Sequence, residues 1–152
     1  MLRIISGFQQ NIIPSLLLIY SEALSQGRFS SREDLVEDIY QSMKREGSLL
    51  FFWETEDCLV SCVQCELCDD GALLHSLETR PEVRRCGFSK QLLTAVTKHL
   101  KTMNVVRITT HVHKRNLVSY KLHLDSGFFV EKDTARLLDG TISTDYYTLV
   151  YK

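Results

Sequence analysis

Hydrophobic positions along the chain switch between two periods, and the switches divide it into elements. Leu2–Ser6 is a short apolar run that predicts a strand. From Asn11 to about Gln26, the residues Ile12, Leu16, Tyr20, Ala23 and Leu24 recur mostly three or four apart, one face of a helix. Asn11 stands where a cap belongs, Pro14 falls in the first turn, and Gly27 ends the segment. Ser30 with Glu33 reads as a capping box opening a second helix to about Glu46, buried through Leu35, Ile39 and Met43 and stopped by Gly47.

The period then shortens. Leu49–Glu54, Cys58–Leu67 and Ala72–Thr79 read as three strands joined by turns at Glu56-Asp57 and Asp69-Asp70-Gly71. Turns that short predict antiparallel hairpins. Pro81 blocks further extension. Phe88, Leu92, Val96, Leu100 and Met103 restore the helical stripe, and the β-branched run Val105–Val112 follows. Strand, helix, strand is a crossover, so Val105–Val112 should lie parallel to Ala72–Thr79. Asn116 caps a short helix that ends near Ser126 at Gly127. Phe128–Lys132 and Thr144–Tyr151 close the chain as strands, with Asp139-Gly140 in a turn.

Composition narrows the class. A chain of 152 residues, 44% hydrophobic and 24% charged, suits one globular domain spanning 1–152. The formal net charge of −1 gives no reason to expect nucleic acid or an acidic membrane surface as partner. No window approaches the roughly 18 apolar residues that span a bilayer, and no signal-peptide layout opens the chain. The expected location is the cytoplasm.

Four of the five cysteines crowd into Cys58, Cys62, Cys65 and Cys68. Cys62-x-x-Cys65-x-x-Cys68 has ligand-like spacing. On a strand, however, Cys62 and Cys68 share a face while Cys65 points to the other. The expectation is small apolar residues and no metal. A metal-binding interaction protein is the rival that this cluster keeps open.

The segment Leu73–Met103 carries the most chemistry. It reads as a strand, the loop Arg84-Arg85-Cys86-Gly87-Phe88-Ser89, and an amphipathic helix. Gly87 lets backbone approach a ligand closely. The amides of Arg85, Cys86, Gly87, Phe88 and Ser89 can point into one concavity at a helix start, and Arg84, Arg85 and Lys90 add positive charge. That combination suits a diphosphate.

Two stretches carry a family resemblance. Arg84-x-x-Gly87-x-Ser89, within Thr79–Ser89, resembles the acetyl-CoA motif of the GNAT superfamily of N-acetyltransferases: Gln or Arg, two residues, Gly, one residue, then Gly or Ala. Asn116-x-x-Ser119-x-x-x-His123-x-x-x-Gly127-Phe128 is similar to the same superfamily's later motif of Asn, a small residue, Tyr and Gly-Phe. The resemblance implies a mixed α/β (α+β) fold. Its central sheet has six to seven mostly antiparallel strands, helices on both faces, and parallel strands 4 and 5 splayed at their C-terminal ends. It implies acetyl-CoA as cosubstrate, its pantetheine arm in the splay against backbone groups near Leu77, Glu78 and Thr79. An amide of His75–Thr79 would polarise the thioester carbonyl. It implies acetyl transfer to a primary amine by direct attack in a ternary complex. The acceptor would be a small-molecule amine, a peptide N-terminus or a lysine, and the family habit is a homodimer.

The departures set the open questions. Ser89 replaces the second Gly or Ala, and its hydroxyl could add a phosphate contact. Ser61 replaces a common Gly, with a local packing effect expected. His123 stands where the resemblance places a Tyr that protonates the leaving thiolate. Asn116, Ser119 and His123 share one helix face, and a histidinium is a competent acid there. Tyr120 is a nearby substitute. His111 stands where some relatives carry a Glu as general base; it shares a strand face with His113, and His75 and Glu78 are lesser candidates. Glu54 and Glu66 read as surface charges. Cys86 sits in the phosphate loop, away from any thioester. A catalytically silent acyl-CoA-binding domain is the alternative that the loss of Tyr keeps open. Ser25–Ser31 and Asp139–Ser143 are expected to wall the acceptor site.

Overall fold

The computed structural model describes residues 1–69 and 71–151. In chain order the elements are β1 (Leu2–Ile5), α1 (Ile13–Ile19), α2 (Ser21–Ser25), α3 (Arg32–Met43), β2 (Ser48–Thr55), β3 (Cys58–Cys68) and β4 (Gly71–Thr79). There follow α4 (Phe88–Thr102), β5 (Ile108–His113), α5 (Leu117–Asp125), β6 (Phe128–Lys132), β7 (Ala135–Arg136), β8 (Ile142–Ser143) and β9 (Tyr146–Tyr151). The main sheet is seven-stranded in the order β1-β2-β3-β4-β5-β9-β6, and β7 with β8 forms a separate small hairpin. All main-sheet neighbours are antiparallel except β4 and β5. Among the described residues no helix is long and apolar enough to cross a membrane.

The sheet is covered on both faces, which is why β2 reads apolar almost without alternation. Leu50 and Phe52 face a core built with Leu16 and Ile19 of α1 and Leu35 and Ile39 of α3. Phe51, between them, faces the opposite core with Leu92, Leu93, Val96 and Leu100 of α4 and Leu74 and Ile108 of the parallel strands. Each such side chain, wholly removed from water, contributes about 1.5–3 kcal/mol. Cys62 lies in the first core and Cys65 in the second, so the two thiols diverge across the sheet. Burial pushes both up to about 12.

Several boundaries depart from the sequence pattern. The first helix is two short helices broken at Tyr20 (φ −94°, ψ 17°), entered through a 3-10 turn at Gln10–Ile12 without a side-chain cap. Asn11 therefore caps nothing: Ile12, Leu16 and Ile19 anchor the segment by packing. The cap of α3 is Ser31, whose side chain accepts from the amide of Asp34, while Ser30 pairs with the Asp34 carboxylate. Met103 is exposed rather than buried, because α4 ends one residue before it. The β7–β8 hairpin was not visible as strands. Of the β3–β4 turn, Asp70 lies outside the described residues.

The feature that makes a site is where β4 and β5 part. They pair only at Ala72↔Ile108, Leu73↔Thr109 and Leu74↔Thr110, although β4 continues to Thr79 and β5 to His113. At the closed end the backbones nearly touch: a Cβ on Gly71 would sit 2.0 Å from the carbonyl oxygen of Arg107, so only glycine fits. At the open end β4 bulges. Between His75 and Glu78 it carries one residue more than β3 does between Gln64 and Cys62, and Ser76 takes a positive φ of 57°. A bulge bends its strand and re-aims the backbone. Meanwhile β5 stays with β9 as far as His113↔Tyr146.

Candidate active site

The parted strands open a cleft of about 500 Å³. Its walls include Leu77 and Glu78 of β4, His111 and His113 of β5, and Asn116, Ser119 and His123 of α5. The C-terminal ends of parallel strands thus meet the start of a helix. Asn116 caps that helix, its side chain accepting from the amide of Ser119 at 3.1 Å.

The bulge is held from below by a residue read from sequence only as core. The hydroxyl of Tyr20 donates to the carbonyl of Ser76 at 2.6 Å. Tyr20 is 3% exposed, and burial, reinforced by Cys62, raises its pKa well above the usual phenol, so it remains a donor. Beyond the bulge, Ser61 donates to the carbonyl of Glu78 at 3.0 Å, which places that carbonyl on the β3 side. Successive residues of a strand turn their backbone groups to opposite edges. The polar backbone of Leu77 and Thr79 accordingly faces the gap, where the Thr79 carbonyl accepts from Arg84 Nε at 3.3 Å.

Ser61, Thr79 and Ser89 form a hydroxyl chain with separations of 2.7 Å and 2.6 Å. Each hydroxyl has one proton. Ser61 gives its proton to the Glu78 carbonyl, so Thr79 donates to Ser61 and Ser89 to Thr79. Ser61 thus has more than a packing effect, and the Ser89 hydroxyl ties the start of α4 to the strand ends with no proton left for a ligand.

The loop before α4 has the backbone of an anion nest. Arg85 has φ 64° and Gly87 φ 83°, both left-handed, and Gly87 caps α4 with no side-chain bond. Among the described residues the amides of Arg85 to Ser89 have no acceptor. Open space surrounds Gly87, with Gln91 Nε2 4.0 Å from a hypothetical Cβ. Arg85, Cys86 and Lys90 are exposed beside this hollow, and Phe88 is half-buried. Arg84 behaves differently: it pairs with Glu22 and with Glu78, and Glu78 in turn pairs with Arg28 at 2.8 Å. Partly exposed pairs of this kind stabilise little, about 0–1 kcal/mol each. Their consequence is positional, since they fix α2, the α2–α3 loop and the loop before α4 to one another.

The histidines divide between two sides of the cleft. His123 is 3% exposed, its Nδ1 2.7 Å from the Ser119 carbonyl, with an edge contact to Phe128. Nδ1 therefore carries a proton that it donates, and Nε2 is left as an acceptor. Burial holds its pKa below the ordinary imidazole value despite that hydrogen bond. Neutral imidazole is the resting form, and a histidinium acid at this position would first have to acquire a proton. Tyr120 lies apart from the cleft lining and stacks on Tyr147. His111 lies on the other face of β5. Burial, and secondly His75, push its pKa down. His75 hydrogen-bonds Glu66 at 3.4 Å, and Glu66 also holds Ser48 and Arg45. Glu66 and Glu54 are not surface charges: Glu54 is buried against Arg3, and Glu66 anchors this network. His113 meets Tyr146 edge to face, and its Nδ1 accepts from the Arg115 amide.

A splayed parallel pair, a bulged strand and an uncapped glycine-turned helix start define the class of protein, and the comparisons agree. The model of the Acetyltransferase (GNAT) family matches residues 14–128, and the chain belongs to that family. Solved structures with the same fold include the N-acetyltransferase PaiA of Thermoplasma acidophilum in complex with coenzyme A (19% identity, 100% of this chain and 99% of that one, TM-score 0.73). The ribosomal-protein-S18-alanine N-acetyltransferase of Escherichia coli is similar at 20% identity, covering 99% and 93%, TM-score 0.72. A spermidine N-acetyltransferase SpeG chimera from Vibrio cholerae and hSSAT is similar at 16%, covering 99% and 94%, TM-score 0.74. No curated protein sequence matches the chain.

Proposed function

We propose that the protein transfers the acetyl group of acetyl-CoA to a primary amine by direct attack, both reactants held in the cleft between β4 and β5. The observation that carries this reading is a run of amides without acceptors at Arg85–Ser89, tied through the Arg84–Glu78 ion pair to a cleft whose far wall presents His111. The nest suits a diphosphate, because five amides without acceptors lead into a helix start where Gly87 leaves room. Arg85 and Lys90 add charge there, whereas Arg84 acts as a clamp between Glu22 and Glu78. On this reading the backbone of Leu77 and Thr79 holds the pantetheine arm, and Asn116 and Ser119, which line the cleft, flank it. Bound acetyl-CoA supplies an activated thioester.

The acceptor amine is protonated near neutral pH and must lose a proton before attack. His111 is the base on this reading: it is half-buried, and its lowered pKa leaves it unprotonated at neutral pH. His123, neutral with a bare Nε2, acts on the thioester side as a positioning acceptor rather than as a stored acid. The leaving group is a thiol, far more acidic than an alcohol, so a thiolate leaves without compulsory protonation.

The displaced Tyr and the neutral His123 favour a second reading, an acyl-CoA-binding domain without turnover. Calorimetry with acetyl-CoA, and CoA release over a panel of amines and peptide N-termini, decide between them. Binding with turnover that falls in His111→Gln supports the enzyme. Binding without turnover on any acceptor supports the silent domain.

A further inference from the structure

His111 also lines a second hollow of about 290 Å³ on the same face of the sheet, so the cleft continues past it. The β7–β8 hairpin walls both parts, with Leu137 and Leu138 on the cleft and Arg136 on the second hollow. This second part is cationic. It is lined by Arg107, Lys132 and Arg136 against a single carboxylate, Glu131. Glu131 is already held by both terminal nitrogens of Arg107 at 2.5 Å. Among the described residues neither Lys132 nor Arg136 has a carboxylate within ion-pair distance. Among the described residues, the one carboxylate lining the first part is Glu78, held by Arg28 and Arg84. In these linings an acceptor with a second positive charge would meet only carboxylates already held by arginine.

Register fixes the spacing. Thr148 of β9 lies opposite His111 of β5, and Lys132 of β6 lies opposite the same Thr148. Opposed residues share a face, and adjacent strands lie 4.7–4.9 Å apart, so His111 and Lys132 stand about 10 Å apart across two strand spacings. The bulge in β6 between Val130 and Lys132 brings Glu131 into the same hollow.

We infer that the acceptor is a primary amine carrying a carboxylate about 10 Å from its nitrogen, the amine at His111 and the carboxylate between Lys132 and Arg136. The inference rests on the transferase reading and names its substrate class. A ω-amino acid meets this description, and so does a peptide N-terminus with an acidic third residue, since an extended chain spans about 3.3–3.6 Å per residue. A simple α-amino acid is too short, and a polyamine has the wrong charge.

The test is calorimetric binding to the CoA-saturated protein, with 8-aminooctanoate, Ser-Ala-Glu amide, glycine and spermidine as probes. One or both of the first two bind, the preference between them telling small molecule from peptide, while glycine and spermidine bind at least about tenfold more weakly. In Lys132→Glu/Arg136→Glu the carboxylate-bearing probes lose about tenfold or more and spermidine gains, with CoA affinity unchanged. The inference is overturned if spermidine binds wild type as well as the carboxylate probes, if none of the four binds, or if charge reversal leaves affinities within about twofold. Binding as described but without CoA release would overturn the transferase reading alone.

Discussion

The two ends of the cleft are built from different materials. At the proposed diphosphate end the site is backbone: amides of Arg85 to Ser89 turned by left-handed Arg85 and Gly87, with side chains such as Arg84 and Ser89 committed to bracing. At the proposed acceptor end it is side chain: His111, Lys132 and Arg136 come from three different elements, the first two aligned by strand register. A backbone site tolerates most replacements so long as the turn survives. A side-chain site fails at single positions. Catalysis should therefore be lost most sharply at the acceptor end, and cofactor affinity only where the loop cannot keep its conformation.

The largest expected effect is at His111. His111→Gln removes the proposed base and lowers kcat/KM about 100-fold with acetyl-CoA affinity unchanged; steady-state kinetics beside calorimetry measure both, and an unaffected rate would move the base elsewhere. Next comes Gly87→Val. A β-branched residue at φ 83° costs about 1–2 kcal/mol in backbone strain, so acetyl-CoA binding weakens about 10-fold or more. Cys86→Ala, in the same loop but on an exposed side chain, leaves affinity within about twofold. A loop read by its side chains would reverse that order.

Tyr20→Phe tests the brace beneath the bulge. Losing the 2.6 Å bond to the Ser76 carbonyl costs about 1 kcal/mol of stability, and kcat falls more than CoA affinity because the strand edge beside the thioester shifts. Chemical denaturation and kinetics report the two parts separately.

The smallest effects are in pH profiles. His111 is active when unprotonated, so kcat/KM should rise through a pKa below 6.5 and then level off. His75→Gln removes one cause of that lowering and moves the limb upward towards 6.5. His123 also has a lowered pKa, so the fold favours its neutral form. Its contribution to stability is complete above about pH 6.5 and is lost as pH falls towards the folded value. Thermal unfolding between pH 7 and 5 should therefore depend less steeply on pH in His123→Gln, by at most about 1.4 kcal/mol per pH unit.

Much of the proposed cofactor end was legible in the chain because its signals are local. A glycine at a helix start, a basic loop after a strand and a helix capped by Asn116 each depend on a few consecutive residues. Tyr20 was hidden by its own spacing, since it fits the stripe Ile12, Leu16, Tyr20 and reads as core. It breaks the helix instead, and its hydroxyl reaches across to a strand 56 positions away. The true cap of α3 was missed by one residue because Ser30 and Ser31 are chemically alike. Glu54 and Glu66 looked like surface charges because nothing in sequence shows Arg3, Arg45 or His75 beside them.

By itself, then, the sequence determined most of the element order and the glycine-turned loop, because periodicity and turn chemistry act over short distances. The tertiary structure decided the parting of β4 from β5, the choice of Arg84 as clamp and the row from His111 through Thr148 to Lys132. Each of these depends on contacts between elements, and the first and last on register between strands distant in sequence. A shift of one residue there would turn every side chain of the row to the other face.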